Sequence, residues 1–391
     1  MNLIASDTDR ELASAVRAWA ASLGDRVGRG ERAGTLPLDV VGELGDLGVL
    51  GMTVPERDGG LGASTLAFAL VLEELSAAWP SLAVGVSVNS GIVAGSIVKY
   101  GTPEQRKRWL PSLMDGKGLG AFCLTEPSSG SDAASLQATA VKDGDGWRIS
   151  GRKQFITSAS YAPLFIVLAR VGQAEPARPH AGITAFIVPA GADGLALGKA
   201  EQKMGLRASD TSAVVLEDAR VGGDAVLGEI GKGFSLALAG LDGGRIGIAA
   251  QAIGIARAAV ERAAAYGGRR RQFGAPITSF EAIRFMLARS RTEIDAARLL
   301  AHRAARSKDA GLPFTREASM AKLFASEAAQ RATHTAVQVC GGYGYMTEYE
   351  VERYARDARA TTLYEGTSEI QRTVIARSLL SGDSQRSGRF A

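Results

Sequence analysis

A chain of 391 residues, 46% apolar and 22% charged, is long enough to bury a sizeable core and has the balance of an ordinary soluble protein of two or three domains. A net charge of only +4, despite a pI near 9.1, excludes the strongly basic footprint of a nucleic-acid binder. Cys123 and Cys340 lie too far apart in sequence for a disulfide framework, and His180, His302 and His334 are scattered without ligand spacing, which argues against a structural metal.

The first stretch, residues 1–119, reads as an N-terminal helical domain. Its opening, "MNLIASDTDREL", lacks the apolar core of a signal peptide, and no apolar stretch is expected to span a bilayer. The chain is therefore expected to be cytoplasmic, without membrane insertion. Thr8 and Glu11 have capping-box spacing, and Leu12, Val16, Trp19 and Leu23 then mark one helix face. "GTPEQRKRWL" starts another helix, with Thr102 as N-cap, Pro103 at the first helical position and Gln105 reaching back. Between them "VPERDGGLGAS" reads as a connection.

Residues 120–228 change pattern. "GWRISGRKQFITS", "LFIVLARV", "GITAFIVPA" and "TSAVVLEDARV" are short β-branched runs separated by turn residues. With no helices between them, they predict a small antiparallel barrel or sandwich. From 229 to 391 the chain is helical again. "RIGIAAQAIGIARAAVERAAAY" is expected to stop at Gly267-Gly268, and "TREASMAKLFASEAAQRATHTAVQVCGG" at Gly341-Gly342. Their small residues predict a closely packed C-terminal bundle.

Several chemistries are excluded. No G-x-G-x-x-G follows a strand; Gly231-Lys232-Gly233 has Leu236 where the third glycine belongs. P-loop, H-E-x-x-H and G-x-S-x-G motifs are also missing. Carboxylates, hydroxyls or a bound cofactor must carry any reaction. "CLTEPSSGSDAAS" is either a loop satisfying its own turns or a grip on a heteroaromatic or phosphate group. "GGRRRQFG" is either a solvated helix end or an anion clamp. Asp242 and Arg245, three apart on one helix, read as a surface ion pair. "QVCGGYGYMTE" is a helix stop or a place of close ligand approach, and "YEGTSEIQR" sets the lone carboxylate Glu365 between an aromatic residue and a glycine.

In this order and spacing, "TEPSSGSD", "RQFG", "QVCGGYGY" and "YEGTSEIQR" resemble the acyl-CoA dehydrogenase family, in particular its short-chain (butyryl-type) members, over nearly the whole chain. The resemblance implies N-terminal helices, a central β-domain and a C-terminal four-helix bundle in a homotetrameric FAD enzyme. It places Phe122, Leu124, Thr125 and Ser131 along the flavin ring, with Phe155 and Thr157 covering its other side; many relatives have tryptophan where Phe155 stands. Arg270 and Phe273 would reach the FAD of a neighbouring subunit, Gln338, Gly341 and Gly342 would receive that cofactor's other end, and Thr367 and Glu369 would touch FAD in their own subunit. Close relatives have glutamine at the position of Glu281. Asp242 and Arg245 match the segment that meets the pantetheine arm, Ser131 the thioester, and Tyr364 and Gly366 the acyl group.

Glu365 falls on the family's catalytic base. Some branches carry the base one residue before the arginine of "LDGGR", which here is Gly244. The implied reaction is α,β-dehydrogenation of a saturated short- to medium-chain acyl-CoA to the trans-2-enoyl product, with hydride going to flavin N5 and electrons to an electron-transfer flavoprotein. The same chemistry on an acyl or aminoacyl group tethered to a carrier protein is the alternative. More distant rivals are a flavin monooxygenase or nitroalkane oxidase, or a nucleic-acid-binding relative, which would need a longer basic tail than "RSGRF".

Overall fold

The structure, a computed structural model, describes residues 5–380; the "RSGRF" tail lies outside them. The N-terminal part holds α1 (Asp7–Ala21), α2 (Asp25–Ala33), α3 (Leu38–Asp46), α4 (Thr65–Ala78), α5 (Pro80–Val86), α6 (Gly95–Tyr100) and α7 (Pro103–Met114). The cap of α1 is Ser6 with Asp9, not Thr8 with Glu11: Asp9 N–H donates to Ser6 Oγ at 3.1 Å and Ser6 N–H to Asp9 Oδ2 at 3.0 Å. The sequence offers the same spacing in two registers. The one adopted turns Asp9 inward, where Ser64 Oγ donates to it and Arg306 approaches to 3.7 Å. The Thr102–Gln105 box forms as expected, and Gln105 Nε2 also reaches the carbonyls of Asp224 and Val226.

Between α5 and α6, residues Ser87–Ala94 form a π-helical segment, so Pro80–Tyr100 is one continuous helix. Against the sequence expectation, this run of 21 residues is long and apolar enough to cross a bilayer. Its most apolar window is 83% buried inside the fold, so the core accounts for its apolar surface.

The central strands are β1 (Ala121–Cys123), β2 (Thr139–Asp143), β3 (Gly146–Thr157), β4 (Leu164–Val171), β5 (Ile183–Pro189), β6 (Leu195–Ala200), β7 (Thr211–Val221) and β8 (Val226–Leu227). They make one sheet in the order β6-β7-β3-β2-β4-β5-β8. Two expectations fail here. Among the described residues the ends β6 and β8 are not paired, so no closed barrel forms, and β1 and β2 both run parallel to β4. Nearly every residue of β4 and β5 is buried. Leu164, Ile166, Leu168, Ile183, Ala185 and Ile187 face helical residues such as Leu110, Leu113 and Leu236. Phe165, Val167, Phe186 and Val188 face Trp147, Ile149, Val214 and Leu216 of the curled sheet itself.

The C-terminal part is α8 (Gly233–Arg269), the small hairpin β9 (Arg271–Gln272) and β10 (Ala275–Pro276), then α9 (Glu281–Asp309), α10 (Thr315–Cys340), α11 (Val351–Ala360) and α12 (Ser368–Leu380). α8 ends at Arg269, one residue past the expected Gly267-Gly268 stop. α10 ends at Gly341 as expected. Arg257 of α8 pairs with Glu73 and Glu74 of α4 at 3.0 and 2.8 Å, and Arg298 of α9 joins Glu73 at 2.9 Å, tying both domains together.

Candidate active site

Glu365 sits in the short connection between α11 and α12. Its φ is 50° and that of Gly366 is 88°, consecutive left-handed residues that turn the chain sharply. For a glutamate this backbone is uncommon and tends to persist where surrounding contacts enforce it. The residue as a whole is half-buried, but both carboxylate oxygens are shut off from solvent and have no hydrogen-bond partner among the described residues. Burial pushes the carboxyl up to about 7, against a smaller opposing pull from Lys322 and Arg245.

The carboxylate rests against a gap on α8. A Cβ built on Gly244 would overlap Glu365 Oε2 and come within 2.8 Å of its Cδ. Only glycine at position 244 leaves room for the Glu365 carboxylate. Ile92 of the π-helical segment closes this spot from the other side, 3.1 Å from the same Cβ position. Tyr364 Oη donates to Gln251 Oε1 at 2.5 Å, and Gln251 Nε2 donates to Pro80 O at 2.9 Å, which fixes the ring. Burial raises the phenol well above its ordinary range, so it stays protonated.

Asp242 and Arg245 do form a pair, at 2.5 Å, but a buried one, with the Arg245 side chain 5% exposed. α10 covers it: Arg245 Nη1 donates to Ser319 Oγ at 3.3 Å and Thr315 Oγ1 to Asp242 Oδ2 at 2.5 Å. Sequence reasoning missed Lys322 and Gln371. Lys322 Nζ donates to Gly366 O at 2.7 Å, and Gln371 Nε2 to the carbonyls of Gly366 and Glu365 at 2.9 and 3.2 Å. The available signal was spacing: Lys322 continues the buried stripe Ala318, Ala325, Ala329.

A second group forms on the sheet. The hydroxyl-rich segment 124–138 connects β1 to β2, which lie successively along β4. Glu126 closes its neck, accepting from the backbone N–H of Gln137 at 2.5 Å and Ala138 at 2.9 Å and from the fully buried Lys153 at 2.7 Å. Lys153 also donates to Leu124 O at 3.2 Å, and Gln154 N–H to Thr125 O at 2.9 Å. These bonds bring "TEPSSGSD" beside "QFITS". A bulge in the β3–β7 pairing follows Lys153, and within it Phe155 has φ 59° and remains 63% exposed. Leu124 is buried, Phe122, Thr125 and Thr157 are half-buried, and Ser131 is exposed. Leu124 shares an apolar cluster with Val88 of the π-helical segment, the segment whose Ile92 lies beside Gly244 and Glu365.

A third group lies elsewhere. Phe273 is 95% exposed on the β9–β10 hairpin, and the Arg270 guanidinium stands 5.5 Å from the centre of the Tyr343 ring, next to exposed Gly341 and Gly342. Gln338 is exposed near the end of α10, about 24 Å along that helix from Lys322 at 1.5 Å per residue. Thr367 and Glu369 open α12, with Thr367 Oγ1 accepting from Ile370 N–H at 3.4 Å and Glu369 exposed. Glu281 opens α9, also exposed.

Residues 6–117, 121–219 and 231–380 match the N-terminal, middle and C-terminal domains of acyl-CoA dehydrogenase, respectively. The chain belongs to the acyl-CoA dehydrogenase family. It is 47% identical over 344 residues to the mitochondrial short-chain specific acyl-CoA dehydrogenase of Bos taurus, covering 88% of this chain and 83% of the relative. Butyryl-CoA dehydrogenase from Megasphaera elsdenii superposes with a TM-score of 0.94 at 40% identity, covering 97% of this chain and 100% of that one. The structure of the electron transferring flavoprotein of Acidaminococcus fermentans contributes a chain of equal TM-score, 0.94, at 39% identity and with the same coverage, 97% and 100%. A glutaryl-CoA dehydrogenase from Mycobacterium smegmatis in complex with FADH2 follows at 0.90 and 32%, covering 97% and 96%. Acyl-CoA dehydrogenases are FAD-dependent, and the sheet group fits that cofactor: an uncovered aromatic ring on a strained backbone stands beside a loop of hydroxyls and backbone donors.

Proposed function

We propose that this acyl-CoA dehydrogenase introduces an α,β double bond into a saturated short- to medium-chain acyl-CoA, giving the trans-2-enoyl thioester. The observation that carries the reading is the Glu365 carboxylate, shut off from solvent, unpartnered, and facing Gly244. When bound, FAD supplies the acceptor for the β-hydrogen, which leaves as hydride. Glu365 takes the α-proton. Its pKa of about 7 brings it closer to the weakly acidic C–H than an exposed carboxylate would be. The backbone N–H of Glu365 is the protein donor for the thioester carbonyl, whose polarisation makes the α-proton removable. Tyr364 keeps water from the base, and Gly366 leaves space for the acyl group.

Phe122, Leu124, Thr125, Ser131, Phe155 and Thr157 would hold the flavin ring, with Thr367 and Glu369 on the same cofactor. Asp242 and Arg245 would meet the pantetheine arm. Arg270, Phe273, Gln338, Gly341 and Gly342 would serve the FAD of a second copy in a homotetramer; the distance of Gln338 from Lys322 along α10 supports that division. An electron-transfer flavoprotein is the proposed acceptor, and the cytoplasm, where the two unpaired cysteines stay reduced, the proposed compartment. CoA is favoured over a carrier-tethered substrate because the similar Bos taurus and Megasphaera elsdenii proteins are named as acyl-CoA and butyryl-CoA dehydrogenases.

Anaerobic mixing with butyryl-CoA tests the reading. The parent enzyme should bleach its flavin, while Glu365→Gln should keep FAD and fail to bleach. Because the base works only when ionised, kcat/KM should rise with pH up to about 7 and then level. Unchanged bleaching in Glu365→Gln would remove Glu365 from its role.

A further inference from the structure

Lys322 is fully buried on α10, and its one hydrogen bond among the described residues is to the neutral carbonyl of Gly366. Burying an ammonium against one neutral acceptor is costly, and a methionine would fill the same slot without that cost. Stability alone therefore gives no reason for a lysine here. Its position does: it grips the residue that follows the base, from behind the turn.

We propose that Lys322 is a positioning residue for the base: its ammonium pins the Gly366 carbonyl, fixes the left-handed Glu365–Gly366 turn, and holds a positive charge behind the Glu365 carboxylate. The inference rests on Glu365 being the base. From α12, Gln371 pins the same Gly366 carbonyl and also that of Glu365, so the turn is clamped from two helices. A side chain on Gly366 would lie 2.6 Å from Gln371 Nε2, so the clamp closes only around glycine.

The charges facing Glu365 can be enumerated. α8 supplies Arg245, already neutralised by Asp242 at 2.5 Å. α10 supplies Lys322, and α12 supplies Glu369, which acts on Lys322. Tyr364 adds a neutral phenol, and Ser87–Ala94 contains no ionisable side chain. Unlike Arg245, Lys322 has no carboxylate in salt-bridge contact among the described residues, which leaves it as the cation that acts on Glu365. Burial lowers Lys322 to about 8 and raises Glu365 to about 7, so the lysine is still mostly charged at the midpoint of the base.

The test compares the holoenzymes of the parent, Lys322→Met and Lys322→Arg. The carboxyl band of Glu365, identified by its loss in Glu365→Gln, is titrated by infrared difference spectroscopy, and kcat/KM is profiled against pH in parallel. Losing a nearby cation favours the protonated acid, so Lys322→Met should raise the Glu365 midpoint by about one pH unit and move the acid limb of kcat/KM with it. Lys322→Arg should recover most of the shift. An unmoved midpoint in Lys322→Met overturns the proposal whatever happens to kcat, because a merely structural lysine would lower the rate at every pH. Should that variant not fold, Lys322→Gln keeps a donor without the charge, and the same two outcomes decide. The infrared titration needs no turnover. A parent enzyme that fails to bleach with saturated acyl-CoA would therefore sink the dehydrogenase reading without touching the Lys322 result.

Discussion

At the scale of single residues, the site depends on one missing methyl group. Glu365 has room for its carboxylate because Gly244 has no Cβ, and that carboxylate is unsolvated because Ile92 and Tyr364 close around it. Gly244→Ala should therefore displace the base without disturbing the surface. A shift of about 1 Å in a reacting group costs on the order of a hundredfold in rate. The expected outcome is a kcat roughly a hundredfold lower in steady-state assays, with FAD content and melting temperature near those of the parent. Parent-like turnover in Gly244→Ala would mean that Glu365 reacts from another position than the one seen. Glu365 was legible in the sequence through its motif, but its partners were not. Lys322 and Gln371 are long polar side chains on helices, and their inward direction depends on which face each helix buries.

At the scale of elements, the hydroxyl-rich segment 124–138 is held by one buried ion pair at its neck. In "GRKQFITS" alternation puts Lys153 on the face of Trp147 and Ile149, where its ammonium is fully buried, and the following bulge breaks that alternation and turns Phe155 outward. Bulges escape a period-two reading because they insert a residue into it. Lys153→Met would leave Glu126 charged and buried with only two backbone donors. The expected loss is about 3–5 kcal/mol in urea unfolding, with weaker FAD retention on gel filtration. Adding Glu126→Gln should restore much of the stability, since the residual charge is then gone. If the double variant is no more stable than the single one, lost packing rather than an uncompensated charge is responsible.

At the scale of the whole molecule, the order helices, strands, helices was readable because the periodicity changes from 3.6 to 2 and back. The open sheet, the parallel β1 and β2, and the buried span Pro80–Tyr100 were not readable, because neighbour order and burial are decided by contacts distant in sequence. The remaining surface feature is the cluster at the far end of α10. Phe273, Tyr343, Tyr345 and Met346 are exposed together with Arg270, an apolar patch of the kind that marks an interface. In the proposed tetramer it covers a second copy's FAD, and the Arg270 fork pairs with the pyrophosphate. Arg270→Ala should then weaken FAD binding about tenfold or more, the value of a charge-assisted hydrogen bond, and lower the tetramer fraction in native mass spectrometry. Arg270→Lys should fall between the two, keeping the charge but losing the planar fork. Added FAD should partly restore assembly in Arg270→Ala, because ligand and subunit association are linked through the same surface. A fully flavinated tetramer from Arg270→Ala would instead confine that arginine to its own subunit, stacked on Tyr343.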